Sequence, residues 1–322
     1  MRNCRIGIVA PSSVVPMVEL GLGVARLRSA GLSVRVHEQC SRQQFTFAGT
    51  DLQRATAFFE YATADDIDVL WCARGGYGAM RILPILEQMT RQHGKPPRKL
   101  LAGYSDVTAL HEFVRKHWGW CTLHATMPGA LNFDQIQPPE WQATIDWMRG
   151  LATQTPWRTP MRFSAGAPTQ PIQGELVGGN LTVWASMAGT PYAPSAAEKI
   201  LFFEDVGEAW YRIDRMITQI EQAGMLAGAV AILLGDFKDC RDETHRVLRE
   251  AGSDQQVPLR PCYAKAEAID EIFGNLGRRL GIPVAMGLPV GHGPNFAPLP
   301  LGAAYSLSNQ GTLNLVSWDW LA

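Results

Sequence analysis

The chain has 322 residues, a length that suggests about two domains. Hydrophobic residues make up 46% and charged residues 18%, which is ordinary for a compact soluble protein. With 29 Lys and Arg residues against 30 Asp and Glu residues, and no basic run, the charge pattern excludes an electrostatic signature of nucleic-acid binding.

Strand-like and helix-like blocks alternate along the first half of the chain. Apolar runs predict strands at 5–10, 32–37, 68–73 and 99–104. Helical spacing predicts helices at 18–30, 51–64, 79–92 and 107–117. This β-α-β-α order favours a Rossmann-like or flavodoxin-like parallel sheet with helices on its faces.

The composition changes after residue 150. Pro, Thr, Gly and Ala are enriched over 151–174, which predicts a linker between an N-terminal domain, 1–150, and a C-terminal domain, 175–322. The C-terminal part is predicted to be a strand-rich mixed α/β unit. Its strand-like runs are at 200–205, 228–237 and 282–293, its helices near 211–223 and 266–280, and its hairpin at 303–318.

No segment has the form of a signal peptide or a membrane span. The first apolar run is short and closed by Pro11, and the longest, 223–235, is too short to cross a bilayer. Six Cys without CxxC spacing favour reduced thiols over a disulfide framework or a zinc site. We therefore expect a cytoplasmic protein with no metal and no membrane partner.

The stretch "LLAGYSDVTAL" (100–110) places a serine where a buried strand turns into a helix. In open α/β sheets, ligands lie at the carboxyl ends of the strands, and helix-start N–H groups there can hold an oxyanion. Gly103 and Ser105 match half of the G-x-S-x-G elbow, but Val107 stands where the second Gly belongs. Spacing alone leaves Ser105 as either a nucleophile or an N-cap.

The turn "ARGGYGA" (73–79) has the same architecture one strand earlier. Its adjacent glycines let backbone N–H groups approach a ligand, although the turn matches neither a P-loop nor G-x-G-x-x-G. A tight βα turn without any ligand is the alternative interpretation.

A catalytic serine also needs a base and a group that orients the base. His292 in "PVGHGPNF" and His124 in "TLHATMPG" both follow strand-like segments, whereas His111 faces the wrong side of the helix that follows Ser105. The strand "ILFFED" ends in Glu204 and Asp205, and periodicity does not choose between these two acids.

Segments spread over nearly the whole chain resemble the LD-carboxypeptidase family of serine peptidases. They include "IGIVAPSS", "FAGTDLQRATAF", "ARGGYGAMRIL", "AGYSDVTAL", "GELVGGNLTVWASMAGTPY", "ILFFEDVGEAWYRIDRMI", "GLPVGHG" and "LPLGA", in family order. This match is far more specific than any single motif.

The resemblance implies site residues and an activity. It makes Ser105 the nucleophile, His292 the general base and acid, and Glu204 the carboxylate that orients His292. Backbone N–H groups of Gly76 and Asp106 would form the oxyanion hole. The triad would assemble between the two domains of a homodimeric, metal-free enzyme without a cofactor. The implied reaction releases D-Ala from a murein tetrapeptide, by hydrolysis of the bond that joins D-Ala to the L-centre of meso-diaminopimelate or L-Lys.

Such an exopeptidase must also recognise the terminal carboxylate of its substrate. Arg74 and Arg212 are the candidates because an Arg fork suits a carboxylate, and Asn180 is a neutral donor. For Arg212, an ion pair with Glu208 or Asp214 on its own helix is the alternative.

Two other functions are considered. Some members of the family resemble microcin-immunity peptidases, which cleave an amide that joins an acyl group to a nucleotide-like group. Such peptidases tend to carry a loop with an aromatic residue for the nucleobase, and the segment 155–170 with Trp157 is the candidate for it. The second is a non-catalytic α/β binding module, in which the glycine turn cradles a ligand and Ser105 caps a helix.

Overall fold

The first sheet consists of five parallel strands and one antiparallel strand. The computed structural model describes residues 4–131, 133, 136–152, 160–241, 265–293, 296–318 and 320. The parallel strands are β1 (Arg5–Val9), β2 (Ser33–Val36), β3 (Val69–Cys72), β4 (Leu100–Gly103) and β5 (Cys121–His124). Their spatial order is β2-β1-β3-β4-β5: the chain places β2 on one side of β1 and β3 to β5 on the other, so the strand order switches between β1 and β3. Ligands of doubly wound sheets bind at such a reversal.

Helices cover both faces of this sheet. They are α1 (Met17–Ser29), α2 (Asp51–Thr63), α3 (Ala79–His93), α4 (Thr108–Phe113) and α5 (Pro138–Met148). Successive strand residues alternate between two cores, one shared with α1 and α5 and the other with α2, α3 and α4. Helix α2 begins at a capping box, in which Thr50 and Gln53 each bind the other's backbone N–H.

The second sheet is mixed. Its strands are β6 (Arg162–Ala165), β7 (Ile172–Asn180), β8 (Lys199–Val206), β9 (Ala231–Lys238), β10 (Val284–Met286), β12 (Ala304–Leu307) and β13 (Leu313–Ser317). The order is β13-β12-β7-β8-β9-β10-β6, with β7 to β10 parallel and the outer strands antiparallel. Its helices are α6 (Leu181–Ser186), α7 (Trp210–Gln222) and α8 (Lys265–Leu280). The structure therefore confirms the predicted α/β fold class.

The chain returns to the first sheet after building most of the second. Strand β11 (Leu299–Leu301) pairs antiparallel with β5. Arg115 of the first half also forms ion pairs with Glu112 and with Glu175 of β7. These contacts join the two sheets. The alternating pattern of the first half gives no indication that β11 is added to the first sheet.

Two local expectations differ from the structure. The helix predicted over 107–117 is divided into a tight turn at Ser105–Val107, the six residues of α4, and a wider π turn at Val114–Trp118. The wider turn ends where Gly119 adopts a left-handed φ of 68°. Within 151–174, where a linker is predicted, the described residues include β6, which pairs with β10, and the start of β7. The domain boundaries themselves stay a prediction.

Among the described residues, no helix is long and apolar enough to cross a membrane.

Candidate active site

Ser105 lies on a strained turn at the carboxyl end of β4. Its φ is +62°, in the left-handed region, where a non-glycine residue costs on the order of 1–3 kcal/mol. Tyr104, with an extended backbone, occupies the N-cap position of the following turn. The N-cap alternative for Ser105 is therefore wrong, because a capping residue needs the extended conformation that Tyr104 has. The geometry is that of a nucleophile elbow.

The glycine turn after β3 lies directly against Ser105. A methyl group on Gly75 would be 3.1 Å from the Cβ of Ser105 and 3.3 Å from its Oγ. Gly76 has a φ of +98°, and a methyl group there would lie 2.3 Å from Ser13 Oγ. In the described part of the chain, neither the N–H of Gly76 nor that of Asp106 donates to another backbone group. The assignment of these two N–H groups to an oxyanion hole stays a prediction.

The side chain of Asp106 ties the two turns together. Its buried carboxylate accepts a hydrogen bond of 2.8 Å from the backbone N–H of Ala79, the first residue of α3. Burial raises the pKa of Asp106, and this hydrogen bond opposes the rise. Sequence reasoning considered only the backbone N–H of Asp106. No spacing rule reveals the other role, since the partner is 27 residues away.

The two acids at the end of β8 point in opposite directions. Glu204 Oε2 lies 2.6 Å from His292 Nδ1, and the carboxylate is fully buried. Asp205 instead accepts hydrogen bonds from the Nδ2 of Asn180 at 3.1 Å and from the N–H and Oγ1 of Thr182, both at 2.8 Å. Neighbouring strand residues face opposite sides of the sheet, so only Glu204 reaches the histidine.

The glycines around His292 are required by close packing. A methyl group on Gly291, whose φ is +135°, would lie 3.1 Å from Glu204 Oε2, and one on Gly293 would lie 1.8 Å from Asp236 Oδ2. The ring of His292 packs on that of Tyr104, with centroids 4.8 Å apart. Because Tyr104 precedes Ser105, this contact brings the histidine loop to the serine turn.

The Glu204–His292 hydrogen bond is already formed in this structure. Burial disfavours the charged form of His292, but the Glu204 carboxylate outweighs burial and raises the pKa of His292. Burial alone would likewise raise the pKa of Glu204, but the charge of His292 and the hydrogen bonds of the site lower it. A base with a raised pKa, held by a buried carboxylate, is the arrangement that triad chemistry uses.

This pair predicts a dependence of stability on pH. Glu204, with its lowered pKa, contributes stability above its ordinary value of 4.5 and loses it as the pH falls. His292, with its raised pKa, contributes fully below its ordinary value of 6.5 and loses its part as the pH rises through the folded-state pKa. We expect the Tm difference between wild type and Glu204→Gln to be largest between these two values and to shrink at alkaline pH. A Tm difference that does not shrink as the pH rises from 6.5 into the alkaline range would contradict the prediction.

The other histidines considered are buried rather than accessible. His111 Nε2 lies 3.0 Å from the carbonyl of Gly103, and burial lowers the pKa of His111 to about 3. His124 is also fully buried, whereas the side chain of His292 is 14% exposed. Of these three, only His292 has a surface that a substrate can reach.

The predicted substrate-binding residues have different surroundings. Arg74 donates to the carbonyl of Val14 at 2.8 Å and directly precedes Gly75, which lies against Ser105. Arg212 is exposed and lies near Tyr211 and Glu208, at 3.2 Å and 3.7 Å. The structure therefore shows the alternative contact with Glu208 for Arg212.

Asn180 lies beside Glu204 in sheet register, but its side chain is already engaged. Its Oδ1 caps α6 through the N–H of Val183 at 3.1 Å, and its Nδ2 donates to Asp205. Its backbone N–H donates to Thr108 Oγ1 at 3.0 Å. Asn180 thus fixes α6 and the serine helix relative to each other.

Models of two protein families match the chain. The LD-carboxypeptidase N-terminal domain matches residues 6–125, and the LD-carboxypeptidase C-terminal domain matches residues 173–307. A Streptomyces coelicolor protein that carries the name of a carboxypeptidase is 33% identical, over 97% of this chain and 93% of that protein.

Solved structures match over nearly the full length. The crystal structure of muramoyltetrapeptide carboxypeptidase from Oxalobacter formigenes has a TM-score of 0.76 and 29% identity, covering 96% of this chain and 97% of that one. Microcin C7 self immunity protein MccF, in complex with aspartyl sulfamoyl adenosine, has a TM-score of 0.77 and 20% identity, covering 100% of this chain and 98% of that one. At that identity the second likeness shows the fold alone.

Proposed function

Because the chain belongs to the LD-carboxypeptidase family, we propose that it is a serine carboxypeptidase that releases terminal D-Ala from murein tetrapeptides during peptidoglycan recycling. The bond cut joins D-Ala to the L-centre of meso-diaminopimelate. The observation that carries the proposal is the 2.6 Å hydrogen bond between buried Glu204 and His292, on a loop that packs against the strained Ser105 turn.

The proposed mechanism uses Ser105, His292 and Glu204 as a triad. His292 Nε2 takes the proton of the Ser105 hydroxyl as Oγ attacks the carbonyl carbon, and Glu204 stabilises the imidazolium through Nδ1. The resulting oxyanion accepts hydrogen bonds from the N–H groups of Gly76 and Asp106. His292 then gives its proton to the departing nitrogen of D-Ala, which leaves an acyl-enzyme. Water, activated by His292, hydrolyses the ester and restores Ser105.

Recognition of the terminal carboxylate is proposed for Arg74. It is half-buried and next to Gly75, which lies against Ser105, and a guanidinium can bind both oxygens of a carboxylate. Among the described residues Arg74 makes one hydrogen bond, to Val14, which leaves the other donors of its fork for a ligand. Arg212, held at Tyr211 and Glu208, is less suited to this role.

The test is product analysis with a murein tetrapeptide. We expect free D-Ala and the tripeptide from the wild-type chain, and a loss of about 10⁴-fold or more in kcat for Ser105→Ala, because the nucleophile is absent. Ser41→Ala, which removes an exposed hydroxyl bound to the carbonyl of Glu38, is the matched control. Equal D-Ala release by Ser105→Ala would overturn the serine mechanism.

The second candidate function is suggested by the fold shared with MccF, which was solved with aspartyl sulfamoyl adenosine. A peptidase of that kind would cleave an amide between an acyl group and a nucleotide-like group. Trp157 is the aromatic residue considered for contact with the nucleobase of such a substrate, and it lies outside the described residues. Hydrolysis of an aminoacyl-nucleotide amide without release of D-Ala would favour this function over the first.

A non-catalytic binding module is the third candidate function. Its N-cap role for Ser105 does not fit the left-handed backbone at that residue. A fluorophosphonate probe that labels the wild-type chain and spares Ser105→Ala would count against it.

We further propose a homodimer in the cytoplasm, with the division into 1–150, 151–174 and 175–322 as its domain organisation. The support is the family resemblance and the positions of the two matched domains. Sedimentation analysis and cell fractionation test the assembly and the location.

A further inference from the structure

Two histidines flank the same buried carboxylate. His292 Nδ1 is 2.6 Å from Glu204 Oε2, and His124 Nε2 is 4.0 Å from Glu204 Oε1. Sequence analysis treated the two histidines as competitors for one role. The structure instead places them on the two oxygens of one acid.

His124 lies in an aromatic cage at the end of β5. Its ring stacks on Phe296, with centroids 5.4 Å apart and planes at 7°, and meets Phe202 and Tyr104 edge-on at 5.3 Å and 5.8 Å. Neither the side chain of His124 nor that of Glu204 is exposed to solvent. The cage restrains rotation of the imidazole and keeps its Nε2 directed toward the acid.

Polar atoms in this cage need partners. Neither ring nitrogen of His124, nor Glu204 Oε1, hydrogen-bonds another residue in the part of the chain that the structure describes. Burial lowers the pKa of His124, and the nearby Glu204 carboxylate opposes this shift. A buried N–H or carboxylate oxygen without a partner costs about 1–3 kcal/mol. His124 Nε2 and Glu204 Oε1 face each other at 4.0 Å, and a hydrogen bond between them would satisfy both atoms.

Two simpler roles for His124 fit less well. As a general base it would have to reach substrate, but it is fully buried, while His292 is partly exposed. As plain packing, a phenylalanine would fill an aromatic cage without burying two nitrogens. The position next to Glu204 is the feature that requires an imidazole.

We propose that His124 is a positioning residue that directs an Nε2–H to Glu204 Oε1 and so holds the carboxylate between two histidines. A hydrogen bond of about 2.9 Å brings these two atoms about 1.1 Å closer than the 4.0 Å at which they lie here, and the imidazole and the acid must both move, because rotation of the carboxylate alone would carry Oε2 away from His292. With Oε1 held, Oε2 stays aligned with His292 Nδ1. This role rests on the proposed function, in which His292 is the catalytic base.

The direct test reads the tautomer of His124. In the full-length enzyme labelled with ¹⁵N-histidine, we expect its signals to show the Nε2–H tautomer and no titration across neutral pH. The signals are assigned by their absence from His124→Phe, or from His124→Gln if the first variant does not fold. The Nδ1–H tautomer, or titration near the ordinary pKa of histidine, would overturn the proposal. Because no substrate is present, this measurement remains decisive even if D-Ala release fails.

Variants test the consequence for turnover. His124→Phe keeps the ring in the cage and removes the donor, and we expect kcat for the murein tetrapeptide to fall about 10²-fold with KM nearly unchanged. His124→Gln places an amide N–H near the position of Nε2 and should recover most of this loss, whereas His124→Asn places it near Nδ1 and should not. The low-field proton signal of the short Glu204–His292 hydrogen bond should shift in His124→Phe. Wild-type kcat and an unshifted signal in that variant would show that His124 only packs.

Discussion

His292→Ala is expected to lower kcat about 10³-fold or more while the protein stays folded. The imidazole is the group proposed to move the proton from Ser105 to the leaving nitrogen, and no other described histidine considered for that role is accessible. Its removal leaves Glu204 buried without its nearest partner, so we also expect a lower Tm at neutral pH. Steady-state kinetics on the murein tetrapeptide and thermal unfolding measure the two effects.

His93→Ala is the matched control. His93 is exposed in the last turn of α3 and packs on Phe59, so its loss should leave kcat unchanged. If His292→Ala retained full activity, the base would have to be sought elsewhere, and the interpretation of the Glu204 hydrogen bond as catalytic would be wrong.

Asp106→Ala is expected to reduce kcat about 10²-fold or more, although no chemistry is assigned to the carboxylate. Its hydrogen bond to the Ala79 N–H holds the start of α3, and thereby the glycine turn, against the serine turn. Without it the Gly76 N–H moves relative to the oxyanion, and loss of one oxyanion-hole donor costs about 10²–10³-fold. The buried N–H left without an acceptor should lower the free energy of unfolding by about 1–3 kcal/mol.

Asp106→Asn separates the hydrogen bond from the charge. Its amide oxygen can still accept from Ala79, so most of kcat should be kept if the contact between the turns is what matters. Equal losses in Asp106→Asn and Asp106→Ala, measured on folded protein, would contradict the positioning argument and assign the effect to the negative charge.

Much of the first sheet could be predicted from the sequence because its pattern is local. The apolar runs that end at Val9, Cys72 and Gly103 mark buried strands, and the polar or glycine-rich segment after each run marks the edge where the site lies. Strand β11 was missed because three residues, Leu299–Leu301, carry no periodicity of their own. The helix after Ser105 is predicted as one continuous helix, whereas the structure divides it after Phe113.

The candidate site was predictable only in part. Spacing leaves Ser105 as either a nucleophile or an N-cap and the glycine turn as either a cradle or a plain βα turn, and only the family resemblance chooses Ser105, Glu204 and His292 as the triad. The left-handed backbone at Ser105, by contrast, came from the structure. A role of Arg212 in substrate binding stays a prediction, and the contacts that the structure shows for it are Tyr211 and Glu208.

By itself, the sequence determined the alternation of strands and helices, the serine at the end of β4 and the histidine between two glycines, since each depends on residues near one another in the chain. Only the tertiary structure decided that the Asp106 carboxylate accepts a hydrogen bond from the start of α3 and that His124 and His292 lie on either side of Glu204. The physical reason is distance along the chain. Glu204 and His292 are 88 residues apart, and the order β8-β9-β10 within the second sheet brings their atoms within hydrogen-bond range.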